Sequence, residues 1–284
     1  MSVASPALPR QGTERAVTAA GVAMHYLDAG AGDGLVLIHG SLCDYRYWRW
    51  QMQAFAEHLH VVAPSLPGCW PAALDATTAH ADSARPTPIF SIAQHVQSVL
   101  ALCDQISPDR PVHLLGHSRG AQVALEAAML RPERVARLVL ADPGFAFAGE
   151  SEMPPVHAQI ARQLGSEPLD EVLGRFVDTV NGAGTWRQTV SWFKEMVRAN
   201  AWTLLPQLRD FERHIELSGL AQRVKCPLLL VGGEFSPARY GARIETLLQA
   251  LPQARRVVVP KAAHGMNLAN ARRFNADVID FLKQ

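Results

Sequence analysis

The feature that most constrains this chain is an exchange between two hydrophobic periods. Short, continuous apolar runs alternate with longer stretches in which apolar side chains recur every three to four residues. The runs are LVLIHG (35–40), LHVVAPS (59–65), PVHLLGHS (111–118), RVARLVLADPG (134–144), CPLLLVGG (226–233) and ARRVVVP (254–260). A strand that is apolar at nearly every position has both faces covered, as in a parallel sheet flanked by helices. Helical spacing marks 45–58, 90–106, 119–130, 239–251 and 269–283, and Ser91 stands near an N-cap position of the second. GVAMHYLDAG (21–30) alternates apolar and polar residues and predicts a strand at the sheet edge. The expected fold class is α/β, a mainly parallel central sheet with helices on both faces.

The alternation breaks once. Residues 145–220 hold no convincing buried strand, only amphipathic pieces such as LDEVLGRFVDTV and TWRQTVSWFKEMVRAN. An all-helical block between two sheet strands predicts an inserted lid over the strands' carboxyl ends, where open α/β sheets bind ligands. The expected division is a core of 1–144 and 222–284 with a helical lid at 145–221. Residues 66–89, rich in Pro, Ala, Asp and Thr, predict a loop.

Charge narrows the partners. Lys and Arg together number 27 and Asp and Glu 26, so no field favours nucleic acid or an anionic membrane. A small-molecule substrate is the expected partner. The four cysteines (Cys43, Cys69, Cys103, Cys226) are scattered without a CxxC pair. They predict free thiols and no metal site. The first 15 residues lack a signal peptide's apolar core, and no apolar run approaches ~18 residues. The expected location is the cytoplasm.

Chemistry concentrates at Gly116-His117-Ser118-Arg119-Gly120, a G-x-S-x-G pattern at the junction of a buried strand and an Ala-rich helix. A sharp turn there exposes the Ser118 hydroxyl beside a helix N-terminus, which favours developing negative charge. A serine hydroxyl needs a base to take its proton, and histidine is the usual one. Among 11 histidines, His264 stands out. It lies in PKAAHGMN, between the last strand and the last helix, where a loop with a neighbouring Gly can aim the ring at Ser118. The side chain of His117 should point away from that of Ser118 and is read as packing.

At this point the chain resembles the α/β-hydrolase superfamily. LVLIHGS, LLGHSRGAQVALEAA, RVARLVLADPG, CPLLLVGGE and VVVPKAAHGMN occur in that family's order and span most of the chain outside the lid. The resemblance implies an α/β-hydrolase fold and a Ser-His-acid triad of Ser118, His264 and a carboxylate. Many relatives carry that carboxylate in Gly-x-x-Asp-Pro after the strand equivalent to 226–233. Here the segment reads Gly233-Glu234-Phe235-Ser236-Pro237, and a serine cannot offset an imidazolium charge. A second known location is the end of the preceding strand. Asp142 stands there, at the sheet edge expected for Ser118, and is the preferred acid, with Glu234 as the alternative. The resemblance further implies an oxyanion hole made by the backbone N–H groups of Arg119 and Ser41, with Leu42 as a second choice for Ser41. Asp44 and Arg46 read first as a helix cap and ion pair.

These roles imply a serine hydrolase working through an acyl-enzyme without metal or cofactor. Aromatic and Met residues in the lid (Met153, Trp186, Trp192, Phe193, Met196, Trp202, Phe211) suggest a small to medium, apolar or aromatic substrate. Candidate substrate contacts are Leu42, Trp48, Trp186 and Trp192. Ester, lactone, thioester and carbon–carbon hydrolysis, and cofactor-free perhydrolysis, all run on such a triad. Epoxide hydrolase and haloalkane dehalogenase relatives use an Asp nucleophile, which this elbow lacks. A non-catalytic relative would have no need of both Ser118 and His264.

Overall fold

The computed structural model describes residues 12–74, 90–148, 156–208 and 214–284. Met153, Phe211 and most of the 66–89 loop lie outside them. Eight strands form one sheet: β1 (Thr13–Ala19), β2 (Val22–Ala29), β3 (Gly34–Ile38), β4 (His60–Pro64), β5 (Val112–His117), β6 (Val135–Ala141), β7 (Leu228–Gly233) and β8 (Arg255–Val259). Their order is β1-β2-β4-β3-β5-β6-β7-β8, antiparallel at β1/β2 and β2/β4 and parallel elsewhere. The central strands β3 and β5 are buried at every position, which is why they spell continuous apolar runs.

The sheet edge differs from the sequence expectation. The β2 segment is not the edge, because β1 pairs with it through a tight turn at Ala20-Gly21, both at positive φ (49° and 78°). The β1 side chains are nearly all exposed, so the strand carries no apolar run to reveal it.

The helices are α1 (Met52–Ala56), α2 (Ile92–Ile106), α3 (Arg119–Leu130), α4 (Val156–Ala161), α5 (Leu169–Asn181), α6 (Thr185–Gln188), α7 (Ser191–Ala199), α8 (Leu204–Gln207), α9 (Leu220–Arg223), α10 (Ala238–Ala250), α11 (Met266–Ala269) and α12 (Ala271–Leu282). One hydrophobic core joins a sheet face to α2, α3 and α10, and a second joins the other face to α1 and α12. A third cluster gathers α4, α5, α7 and α8 around Leu42, so the helices between β6 and β7 carry a core of their own. Two polar ties fix them to the loop after β3. Asn200 donates to the Asp44 carboxylate at 2.7 Å, and the Ser41 hydroxyl donates to Gln207 Oε1 at 2.6 Å. Asp44 also accepts from the Arg46 backbone N–H and guanidinium, so its cap and ion-pair reading stands with the Asn200 tie added. Among the described residues, no helix is long and apolar enough to cross a membrane.

Candidate active site

Strand register brings the chemistry together. Ile38 pairs with Gly116 and His117 with Ala141, so the residues following β3, β5 and β6 leave the sheet side by side. Because β3 lies between β4 and β5, the chain departs in opposite directions on its two sides, which opens a crevice at the carboxyl edge. Ser118 sits there between β5 and α3 with φ 54° and ψ −120°, a region costing a non-glycine residue roughly 1–3 kcal/mol. Its surroundings enforce that backbone. Ser118 N–H donates to the Ala141 carbonyl at 2.9 Å, and the Ser118 carbonyl accepts from Gly144 N–H at 3.0 Å. A Cβ on Gly144 would lie 3.0 Å from Ser118 Oγ, and one on Gly40 would lie 3.0 Å from Ser118 Cβ, so both glycines leave the hydroxyl room.

His264 follows β8 and is held by three neighbours. Its Nδ1–H donates to Asp142 Oδ2 at 3.1 Å. Tyr240 stacks on the ring at 4.2 Å between centroids, and His117 contacts it at 4.5 Å. His117 does more than pack: its Nε2 lies 2.8 Å from the His264 carbonyl, tying the loop that carries His264 to the strand that ends at Ser118. Burial, with Arg239 and Arg243 adding to it, pushes His264 down to about 3. Its resting form is therefore the neutral imidazole, the form able to accept a proton.

Asp142 directly follows β6 and is fully buried. Besides His264, it accepts from the Ser236 hydroxyl at 2.5 Å. The residue at the position where many relatives keep their acid therefore bonds the carboxylate that partners the histidine. Burial pushes Asp142 up to about 6, opposed by the Ser236 hydrogen bond. Glu234, the alternative acid, does not partner His264. It is exposed, and its carboxylate accepts the Lys261 N–H at 2.7 Å, fastening the turn that leads toward His264.

A cavity of about 760 Å³ opens over this edge, with Ser118 and His264 both in its wall. Ser41, Leu42, Arg119 and Trp192 also line it. Two expected contacts do not. Trp48 is fully buried in the α1/α12 core, edge-on to Tyr47 at 5.2 Å. Trp186 packs within its own helical cluster, where a Cβ on Gly174 would stand 2.8 Å from its ring. Sequence reasoning missed Gln207, Arg239, Tyr240 and Arg243, all in the cavity wall. No local pattern marks them, since a helix-surface Arg or Gln looks the same wherever its helix docks.

The comparisons agree with this architecture. The chain is 27% identical over 263 residues to the dihydrolipoyllysine-residue acetyltransferase component of the acetoin cleaving system of Pseudomonas putida, covering 89% of this chain but only 64% of that protein. It is 28% identical to the pimeloyl-[acyl-carrier protein] methyl ester esterase of Edwardsiella ictaluri (strain 93-146), over 90% of this chain and 95% of that one. A thermophilic esterase from Thermogutta terrifontis superposes with a TM-score of 0.78 at 18% identity, covering 96% and 98% of the two chains, which shows a shared fold. The family model described as Alpha/beta hydrolase family matches residues 35–277, most of the chain, and the strand order and elbow fit it. This chain belongs to the alpha/beta hydrolase family.

Proposed function

We propose that this hydrolase is a serine esterase, cleaving a small to medium carboxylic ester, lactone or thioester through an acyl-enzyme. The observation that carries the reading is Ser118 on its strained elbow, sharing one cavity wall with a buried His264 whose Nδ1–H is bonded to Asp142. In the proposed reaction, Ser118 Oγ attacks the carbonyl carbon as His264 Nε2 takes its proton. Asp142 holds the ring in the required tautomer and offsets the imidazolium charge. The N–H groups of Arg119 and Ser41 stabilise the oxyanion, and His264 then delivers its proton to the leaving group. Water, activated by the same ring, releases the acid. The described helices α4, α5, α7 and α8 act as a lid, and Phe176, Trp192 and Phe193 give the cavity its apolar side. A fluorophosphonate probe should add covalently to Ser118 in the intact protein, with the adduct located by peptide mass spectrometry. Labelling that is absent, or that falls elsewhere, would overturn the reading.

The buried pair sets the pH profile. Above about 6 the Asp142 carboxylate is ionised and can stabilise the imidazolium, and below it the carboxyl is neutral and cannot. With His264 already neutral down to about 3, the acid limb of kcat/KM belongs to the pair and falls toward tenfold per pH unit below about 6. Initial rates on a p-nitrophenyl ester across that range check this, and a flat profile down to about pH 4.5 would contradict it.

A further inference from the structure

We infer that the cavity takes a substrate carrying a carboxylate close to its scissile bond, held by Arg239 with Arg243 on α10. The inference rests on the esterase reading for the scissile bond and on the cavity wall for the anion. The wall contains three arginines (Arg119, Arg239, Arg243) and, among the described residues, no Asp or Glu. The Arg119 guanidinium turns to the Phe90 ring at 4.9 Å, toward the α2 side. Arg239 and Arg243 both lie against Tyr240, 4.7 and 6.0 Å from its ring centroid, and Tyr240 stacks on His264. These contacts put the Arg239 guanidinium carbon within about 9 Å of the His264 ring centre. Its described hydrogen-bond partners are neutral: the Thr179 carbonyl at 2.7 Å and the Tyr240 hydroxyl at 3.3 Å.

Arg239 is exposed, and a substrate that fills the cavity displaces part of its water. Desolvating a guanidinium without an anion is costly, whereas a carboxylate forms paired, charge-assisted hydrogen bonds with it. The same anion offsets the field that, with burial, holds down the proton affinity of His264. The anionic substrate thus strengthens the base that takes the Ser118 proton, and loss of the arginine that holds the anion should appear chiefly as a raised KM. The bound on the distance from Arg239 to the His264 ring centre sets the proposed ligand as a hemiester of a short dicarboxylic acid, of roughly four to six carbons.

Calorimetric titration of the Ser118→Ala protein with monoethyl glutarate and with diethyl glutarate tests binding apart from turnover. The monoanion is expected to bind at least about tenfold more tightly. Arg239→Gln in that background should abolish the preference, and Arg239→Lys should keep part of it. Equal affinities, no binding of the monoanion, or a preference that survives Arg239→Gln with Arg243→Gln would overturn the inference. Turnover of both esters by the Ser118 protein is followed alongside. Hydrolysis of neither sinks the esterase reading, while the titration still decides the carboxylate site.

Discussion

His264→Ala is expected to lower kcat on a p-nitrophenyl ester by about six orders of magnitude, Asp142→Asn by about four, and Glu234→Gln by less than about twofold. The order follows from what each side chain touches. Without His264, the proposed reaction loses the base that takes the Ser118 proton. Asn at 142 keeps the shape of the site but puts an amide where a carboxylate faces His264 Nδ1 at 3.1 Å. The ring then loses both its tautomer control and the charge that stabilises imidazolium. Ser236 cannot substitute, since its hydroxyl already donates to Asp142 Oδ2 and carries no charge. Glu234 contributes one hydrogen bond to the Lys261 N–H at the surface, so its amide replaces it with little loss. Stopped-flow and steady-state rates on the three variants, with circular dichroism to confirm folding, give the ranking. Greater damage from Glu234→Gln than from Asp142→Asn would overturn the proposed role of Asp142.

What the sequence made legible was set by how many faces of an element are buried. The strands β3, β5, β6 and β7 carry apolar runs because most of their positions are buried on both faces, and α3 spans the 119–130 expected of it. Strand β1 was invisible because its side chains are solvated and its existence depends on the ladder to β2. The placement of Asp142 was readable, since a carboxylate ending an apolar strand must emerge at the sheet's carboxyl edge. The fates of Trp48 and Trp186 were not. An indole announces burial but not which volume it fills, and one proved to be core and the other packing between helices. Gln207 shows the same limit from the polar side. Its bond to Ser41 spans 166 residues of chain and depends on how α8 docks, which no local pattern encodes.

The elbow's geometry makes its own prediction about stability. Gly116→Ala is expected to destabilise the protein by about 4 kcal/mol and lower Tm by about 10 °C. A Cβ at 116 would sit 2.3 Å from the Gly120 carbonyl oxygen and 2.7 Å from Ala121 Cα, atoms of the α3 backbone that cannot rotate away. Helix α3 is pinned from the other side too, because a Cβ on Gly120 would meet the Ile38 carbonyl oxygen at 2.3 Å. Relief therefore requires the helix to slide along the sheet against the core it buries with β5, and that sliding carries the cost. Gly241→Ala is the matched control. It lies within α10, a Cβ there meets nothing within 4 Å, and the gain in helix propensity should stabilise by about 0.5–1 kcal/mol. Thermal melts of the two variants read opposite signs from the same substitution. An unchanged Tm for Gly116→Ala would mean that β5 and α3 do not meet so closely, and the strained backbone at Ser118 would lose its steric cause.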